Sequence, residues 1–327
     1  MMLFVKPNQP TDDGEDHRPG GAAGDSFLLA HLSDPHLTSL SGVHIADLLN
    51  KRLFSYISWL HKRRHRHTPH ILDALLRDLA EVAPDHVALT GDLTNLGLPD
   101  EFHQAALWLG QLGAPERVTV VPGNHDTCVS TPWQETFSEW APYLAGDGDS
   151  AAVRYPILRE RGPIALIGLS TARPSMPFLA VGSLGSSQLA RLEELLEETG
   201  RRGLLRIVLL HHPPVPGSIA WRKRLTDATL FAEVVARKGA ELILHGHAHV
   251  SMERELVTGM RSIPVFGVPS ASDSGSNPQC AARYHLFRFE RRTGGWMLLL
   301  TARAYSHAEN RFVIAQEKEL FLSDHAR

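Results

Sequence analysis

The run His86-Val87-Ala88-Leu89-Thr90 is apolar, partly β-branched, and stops at Gly91-Asp92-Leu93-Thr94-Asn95. Such a run reads as a buried strand leading into a loop. Asp92 is then a carboxylate at a strand end, where α/β folds place their chemistry. Four more apolar runs end in the same manner. Phe27 to Leu32 leads to Asp34-Pro35-His36, and Val118 to Val121 leads to Gly123-Asn124-His125-Asp126. Ile207 to Leu210 leads to His211-His212-Pro213-Pro214, and Leu242 to Leu244 to Gly246-His247-Ala248-His249. Five strand ends bearing Asp, Asn or His predict one convergent polar site on the carboxyl edge of a sheet. Oxygen and imidazole ligands without thiolate suit hard or borderline divalent metals. An Asp can bridge two such ions, and two-metal sites clamp phosphoryl oxygens during in-line displacement.

The spacing inside these motifs carries further expectations. Asp34 and His36 stand two positions apart, as do His247 and His249. An extended backbone would turn both members of each pair to one side. Asn124 offers a neutral amide oxygen. His125 has a proton to give, and Asp126 is expected to hold that ring in its working tautomer.

In their order, D-x-H, G-D-x-x-N, G-N-H-D, H-H-P-P and G-H-x-H resemble the calcineurin-like metallophosphoesterase superfamily. They span Asp34 to His249, about two thirds of the chain, and together are far more specific than any one alone. The resemblance implies an α/β fold, a four-layer α-β-β-α sandwich of two mixed sheets. It implies two divalent metal ions, with Mn, Fe, Zn, Co and mixed pairs all suited to these ligands. One ion would take Asp34, His36, Asp92 and His249. The other would take Asp92, Asn124, His211 and His247, with Asp92 bridging. Hydroxide would attack the phosphorus in line, and His125 would protonate the leaving oxygen or stabilise its charge. The resemblance puts the first His of its pair on metal and leaves His212 as support; Asn95 would buttress the Asp92 loop by hydrogen bonding.

Departures narrow the branch. Purple acid phosphatases carry Tyr where Asn95 stands, and protein Ser/Thr phosphatases carry an Asp-Arg-Gly run where this chain reads Asn95-Leu96-Gly97. UDP-diacylglucosamine hydrolases have Arg in place of His125. The chain looks most similar to bacterial cyclic-nucleotide and glycerophosphodiester phosphodiesterases, which implies a phosphodiester rather than a monoester substrate. A catalytically silent scaffold that kept the fold is the reading from another class; intact ligands at all seven positions argue against it.

Length and composition set the outer limits. The 327 residues allow one large domain or two ordinary ones. A net charge of -3 provides no footprint for nucleic acid. Two cysteines, Cys128 and Cys280, build no disulfide framework. No stretch is long and apolar enough to cross a bilayer, and no secretory signal is visible. Residues 1–25 read as a disordered tail, 26–310 as a single domain and 311–327 as a C-terminal tail. The expected setting is cytoplasmic, or peripheral at the inner face of the membrane.

Residues 44–67 are the most individual part. Leu49, Leu53, Tyr56, Ile57 and Leu60 recur at helical spacing among Lys51, Arg52, Lys62, Arg63, Arg64 and Arg66, with no acid from 51 to 67. This is a helix with a solvated basic face, a basic amphipathic element for an anionic membrane surface, or a set of arginines that steers a phosphorylated substrate. An exit to nucleic acid is not expected, since no further basic face extends it. The loop 217–225 carries Trp221, Arg222, Lys223 and Arg224. It reads either as a substrate wall, stacking a base or sugar and holding phosphate, or as a packing Trp with exposed cations. The expected partners are a small phosphodiester, an anionic membrane surface reached through 44–67, a peripheral lipid or nucleotide-sugar-lipid substrate in the alternative reading, and a second copy of the chain.

Elsewhere, helices are predicted over 71–83, 99–112, 132–145, 227–238, and from Ser186 as N-cap to Gly200 as stop. Strands near 263–268, 284–290 and 296–304 are expected to complete a second sheet, the last two antiparallel.

Overall fold

The runs that carry the motifs are strands, and they are divided between two sheets rather than gathered into one. The computed structural model describes residues 26–324 except 38–39, 41–42, 62, 150–152, 260 and 276–278. The expected N-terminal tail and Lys62 lie outside the described residues. In chain order the elements are β1 (Ser26–Leu32), α1 (Arg52–His61), α2 (Pro69–Val82), β2 (His86–Leu89), α3 (Pro99–Leu112), β3 (Val118–Val120) and α4 (Ala141–Leu144). Then come β4 (Ile157–Arg161), β5 (Ile164–Gly168), α5 (Ser186–Arg201), β6 (Leu205–Leu209), α6 (Ala228–Lys238), β7 (Leu242–His245), β8 (Met252–Thr258) and β9 (Arg261–Gly267). The chain closes with β10 (Arg283–Arg292), β11 (Gly295–Ser306) and β12 (Arg311–Ser323).

One sheet has the order β12-β11-β10-β1-β2-β3, the other β4-β5-β6-β7-β9-β8. Both are mixed: β1, β2 and β3 run parallel, as do β5, β6, β7 and β9, while β10, β11 and β12 pair antiparallel. Side chains alternate faces along a strand, and β1 shows the consequence. Ala30 and Leu32 pack with Leu72, Leu75 and Leu79 of α2 and Phe102 and Leu109 of α3, whereas Leu29 packs with Leu209, Leu244 and Phe287 between the sheets. On the far side, α5 and α6 cover Ile167, Val208 and Ile243. The result is the four-layer sandwich. Each fully buried Leu, Ile or Phe contributes about 1.5–3 kcal/mol relative to leaving it exposed.

Four expectations need correction. First, β9 belongs to the second sheet, but β10 and β11 extend the first, through pairing of β10 with β1. Second, residues 311–323 are not a tail. They form β12, paired along its length with β11, and bury Phe312 and Leu322 at its two ends. The polar middle, Gln316-Glu317-Lys318-Glu319, conceals the strand pattern because this is a solvated sheet edge, where charge discourages further pairing. Third, residues 132–145 form two short 3-10 turns, 133–135 and 137–140, and one turn of α4. Pro142 cannot donate an intrahelical bond, and Trp140 stacks on Phe102 with ring centres 4.4 Å apart. Fourth, Ser186 is the first helical residue of α5 and not its cap. The Asp227 carboxylate takes the Leu184 and Gly185 amides there at 2.8–3.1 Å.

Candidate metal centre

The polar strand ends of both sheets meet at one edge of the sandwich: β1, β2 and β3 deliver theirs from one sheet, β6 and β7 from the other. Backbone bonds fasten the loops to one another. The Asp34 amide donates to Gly91 O (2.9 Å), the His36 amide to Asp92 O (3.1 Å) and the Gly246 amide to His211 O (3.1 Å). The side-chain pairs are not presented by extended backbone, as their spacing suggested. Asp34, His36, Asp92, His247 and His249 all have positive φ, from 42° to 66°. A non-glycine residue in this region carries strain, so the folded loops fix these side chains against local preference. Gly123 and Gly246 let the loops close: a Cβ on the first would run into the Asp92 carboxylate, and on the second into Ser33 and Asp34.

Three groups of ligand atoms result, each within 4.8 Å of one another: Asp34, His36, Asp92 and His249; Asp92, His211 and His247; and His36, His67 and His249, which overlaps the first. Asn124 joins the second group, its Oδ1 lying 3.2 Å from His211 Nε2. Asp92 belongs to the first two. Its Oδ1 accepts the His125 amide at 2.7 Å, and its Oδ2 lies 3.3 Å from His211 Nε2 and 4.0 Å from His36 Nε2. The rings are oriented by backbone. Nδ1 of His36 donates to Thr94 O (3.1 Å) and Nδ1 of His211 to Thr90 O (2.6 Å), which leaves each Nε2 lone pair facing the centre.

The donor set fits cations. His36 Nε2 and His249 Nε2 face each other at 3.3 Å, and Asp34 Oδ1 lies 3.0 Å from His249 Nε2 yet accepts no hydrogen bond of adequate geometry. Ligand atoms about 2.0–2.1 Å from one ion at tetrahedral angles stand about 3.3–3.4 Å apart. Electrostatics agree. Burial opposes charge on Asp92, but the fields of His211 and His125 outweigh it and hold the carboxyl well below its ordinary range. Burial likewise lowers His211, and Asp92 overcomes it to lift that ring to about 9. Asp92 is thus the anionic group, shared by the first two ligand groups, that cations would satisfy.

His125 and Asp126 depart from expectation. The Asp126 carboxylate does not touch the His125 ring. It accepts the amides of Asp92, Gly123 and Thr94 (each 2.9 Å) and the Thr94 hydroxyl (3.0 Å). Burial, then Asp92, pushes its pKa up to about 7. His125 instead has Nδ1 2.8 Å from Asn95 O, and Arg63 Nη1 lies 3.0 and 3.1 Å from its two ring nitrogens. A carbonyl only accepts and a guanidinium only donates, so Nδ1 bears the hydrogen and Nε2 accepts from Arg63. Burial, then Arg63, holds this ring at about 3. Asn95 does sit in the Asp92 loop; its amide and those of Leu96 and Leu98 donate to the Glu101 carboxylate at 2.6–3.1 Å.

His212 stays outside these ligand groups. Its ring nitrogens meet Thr171 Oγ1 (2.7 Å) and Ala180 O (3.2 Å), and its ring packs, tilted, 4.3 Å from that of His247. The loop carrying Trp221, Arg222 and Arg224 reaches the site through its backbone: Lys223 O lies 3.1 Å from His247 Nε2. Trp221 is 64% exposed, and Arg224 donates to the Trp221 carbonyl.

Two residues at the centre were not singled out by sequence reasoning. His67 has Nδ1 2.7 Å from Ser272 Oγ, and its ring groups with His36 and His249. Arg63 reaches His125 as described. Both come from the basic segment, where nothing in the spelling sets Arg63 apart from Arg64 or Arg66.

Residues 27–251 match the calcineurin-like phosphoesterase family. A probable cyclic nucleotide phosphodiesterase of Synechococcus sp. is 27% identical over 226 residues, 68% of this chain and 78% of that protein. A glycerophosphodiester phosphodiesterase of Enterobacter lignolyticus is 30% identical over 194 residues, and the chain spans 58% of its length. Among solved structures, a dimetal phosphatase from Danio rerio superposes with a TM-score of 0.60 at 12% identity, covering 92% of this chain and all of that one. The purple acid phosphatase PPD1 from yellow lupin superposes with a TM-score of 0.54 at 12% identity, over 91% of this chain and 54% of that one. These two structural likenesses concern the fold alone.

Proposed function

The chain belongs to the calcineurin-like phosphoesterase family, and from that membership we propose that it hydrolyses phosphodiesters with two divalent ions held at the shared Asp92. The observation that carries this is the position of Asp92 Oδ2 between the two ligand groups that share it. Asp34, His36, Asp92 and His249 would hold one ion, and Asp92, Asn124, His211 and His247 the other. Such ions supply Lewis acidity and bring the pKa of a coordinated water from about 15.7 toward about 7. The protein's own residues do the rest. Asp126 and Glu101 fix the loops, Thr90 and Thr94 aim the imidazoles, and His125, its N–H held by Asn95 O, positions the Arg63 guanidinium, whose N–H donors face charge that develops on oxygen. The choice of diester over monoester is supported by two relatives described as phosphodiesterases.

The test is hydrolysis of bis(p-nitrophenyl) phosphate against p-nitrophenyl phosphate, in metal-stripped protein and after addition of Mn²⁺. Diester cleavage that depends on metal and falls at least a hundredfold in Asp92→Asn is expected. Preference for the monoester would overturn the substrate assignment. Absence of turnover with any divalent ion, in folded protein, would favour the silent scaffold.

A second reading places this activity at an anionic membrane surface. Ile45 and Leu49 are 83% and 81% exposed, and Leu53, Phe54 and Ile57 are also exposed. The Phe54 ring lies 4.8 Å from that of exposed Phe178, and Met176 is exposed beside it. No helix among the described residues is long and apolar enough to cross a membrane, so such contact would be peripheral.

A further inference from the structure

The basic segment contributes one guanidinium to the centre, that of half-buried Arg63 beside the His125 ring. The turn that carries it is firmly held. The His67 amide donates to Arg63 O (3.0 Å), so one turn brings residues 63 and 67 to the same side. That turn is fastened to the loop after β9: Arg66 pairs with Asp273 (2.5 Å), the Thr68 amide donates to Ser272 O (3.1 Å), and Ser270 Oγ donates to Asp34 O (2.6 Å). Arg63 is therefore positioned by the same loop that braces a ligand of the metal centre.

Its donors are underused. Arg206 spends its guanidinium on Glu241, and Arg303 on Asp78. Arg159, buried without a carboxylate, satisfies itself on the carbonyls of Pro115, Val118, Pro142 and Ala145. Arg63 has one carbonyl, Ser55 O at 3.1 Å, and the His125 ring. A guanidinium has five N–H donors, so most of its fork is not engaged by the described residues. Arg63 is half-buried, so its remaining N–H groups are open to a ligand at the centre, and planar forks match phosphoryl oxygens.

We propose that Arg63 is an anion-binding residue of this site, its guanidinium donating to a non-bridging phosphoryl oxygen of the substrate beside His125. The assignment rests on the phosphoester reading for the identity of the anion. It selects against uncharged ester substrates and accounts for the basic segment as part of the site rather than only as a surface. The oxygen could belong to the scissile phosphoryl group or to a second phosphoryl group next to it; the shared chemistry is an anionic P–O.

The test uses the full chain loaded with Mn²⁺, inorganic phosphate as probe, and Arg63→Gln and Arg63→Lys. Calorimetric phosphate affinity should fall about tenfold in Arg63→Gln and recover to within about threefold of wild type in Arg63→Lys, as loss of one charge-assisted hydrogen bond requires. Metal content and melting temperature should match wild type, and KM for bis(p-nitrophenyl) phosphate should rise more than kcat falls. Comparison with a dinucleoside pyrophosphate locates the oxygen. An equal defect on both substrates assigns the scissile group, and a defect on the pyrophosphate alone assigns its neighbour. Unaltered phosphate affinity in Arg63→Gln would overturn the proposal, as would a loss that merely follows metal content. Should Arg63→Gln fold poorly, Arg63→Met decides in folded, metal-replete protein: an affinity loss of about tenfold supports the proposal, and wild-type phosphate affinity overturns it. If wild type binds phosphate through Arg63 but cleaves no phosphoester, the hydrolase reading fails and the anion site stands.

Discussion

The Asp126 carboxylate accepts four hydrogen bonds, from the amides of Asp92, Thr94 and Gly123 and from the Thr94 hydroxyl, all within 3.0 Å. Those donors belong to the loops after β2 and β3, so one buried side chain sets the spacing between Asp92 and Asn124. Removing it strands four buried donors, each costing about 1–3 kcal/mol where water cannot reach. We therefore expect Asp126→Ala to lower the denaturant midpoint and the retained metal together. Wild-type stability and metal content, with only turnover lost, would instead mean a proton relay to His125. From sequence, this role was out of reach. G-N-H-D marks Asp126 as important, but adjacency to His125 suggested a partnership that the backbone turn does not make. The candidate ligands Asp34, His36, Asp92, Asn124, His211, His247 and His249 were legible because each follows an apolar run. The positive φ values that aim several of them are a tertiary product with no local signal.

At the scale of elements, the segment 44–67 and β12 were the hardest to read, for opposite reasons. β12 is polar in its middle because it is a sheet edge, so its pattern resembles that of a tail. Its ends are nevertheless core: Phe312 is fully buried and packs 5.5 Å from the Tyr284 ring. Phe312→Ala is expected to cost about 3–5 kcal/mol, read from urea melts, and truncation after Asn310 should leave no soluble folded protein. A truncated chain with wild-type melting would refute the assignment. Residues 44–67 were expected to turn a basic face to solvent, but α1 covers only Arg52–His61, Arg52 is buried, and Leu49, Leu53 and Ile57 are exposed; sequence alone could not divide the charges between site and surface. The structure turns Arg63 and His67 inward and leaves Leu49, Phe54 and Ile57 facing out. For an anionic membrane, sedimentation with phosphatidylglycerol vesicles should exceed that with phosphatidylcholine alone, and Leu49→Gln with Phe178→Gln should abolish it. Because neither residue contacts the ligand groups, cleavage of a soluble diester should be retained. No vesicle binding by wild type would sink the membrane reading, and a dimer dissolved by the same substitutions would assign the face to a second copy.

The whole molecule places its centre where two sheets meet, and it fills part of the space behind that centre with histidine. His31 and His285 lie directly opposite in β1 and β10, with ring centres 6.3 Å apart, and His285 also packs against Phe287. Burial, then its neighbours His285 and His245, holds His31 well below its usual pKa. Burial, then Arg283, lowers His285 to about 3. The unfolded chain would titrate these rings near 6.5. A depressed folded pKa means that their contribution is intact above about pH 6.5 and is lost as pH falls toward the folded value. In that window the unfolded state binds protons that the fold refuses, at up to about 1.4 kcal/mol per pH unit for each ring. The two-sheet architecture should therefore weaken in acid independently of metal release. Urea melts in chelator at about pH 7.5 and about pH 5 would measure this, and His285→Phe should recover roughly 2 kcal/mol of the difference between them. The comparison is made within each protein, so any cost of packing a larger ring cancels. An unchanged difference in His285→Phe would mean that this ring accepts its proton inside the fold, and acid sensitivity would then have to be sought at the metal ligands alone.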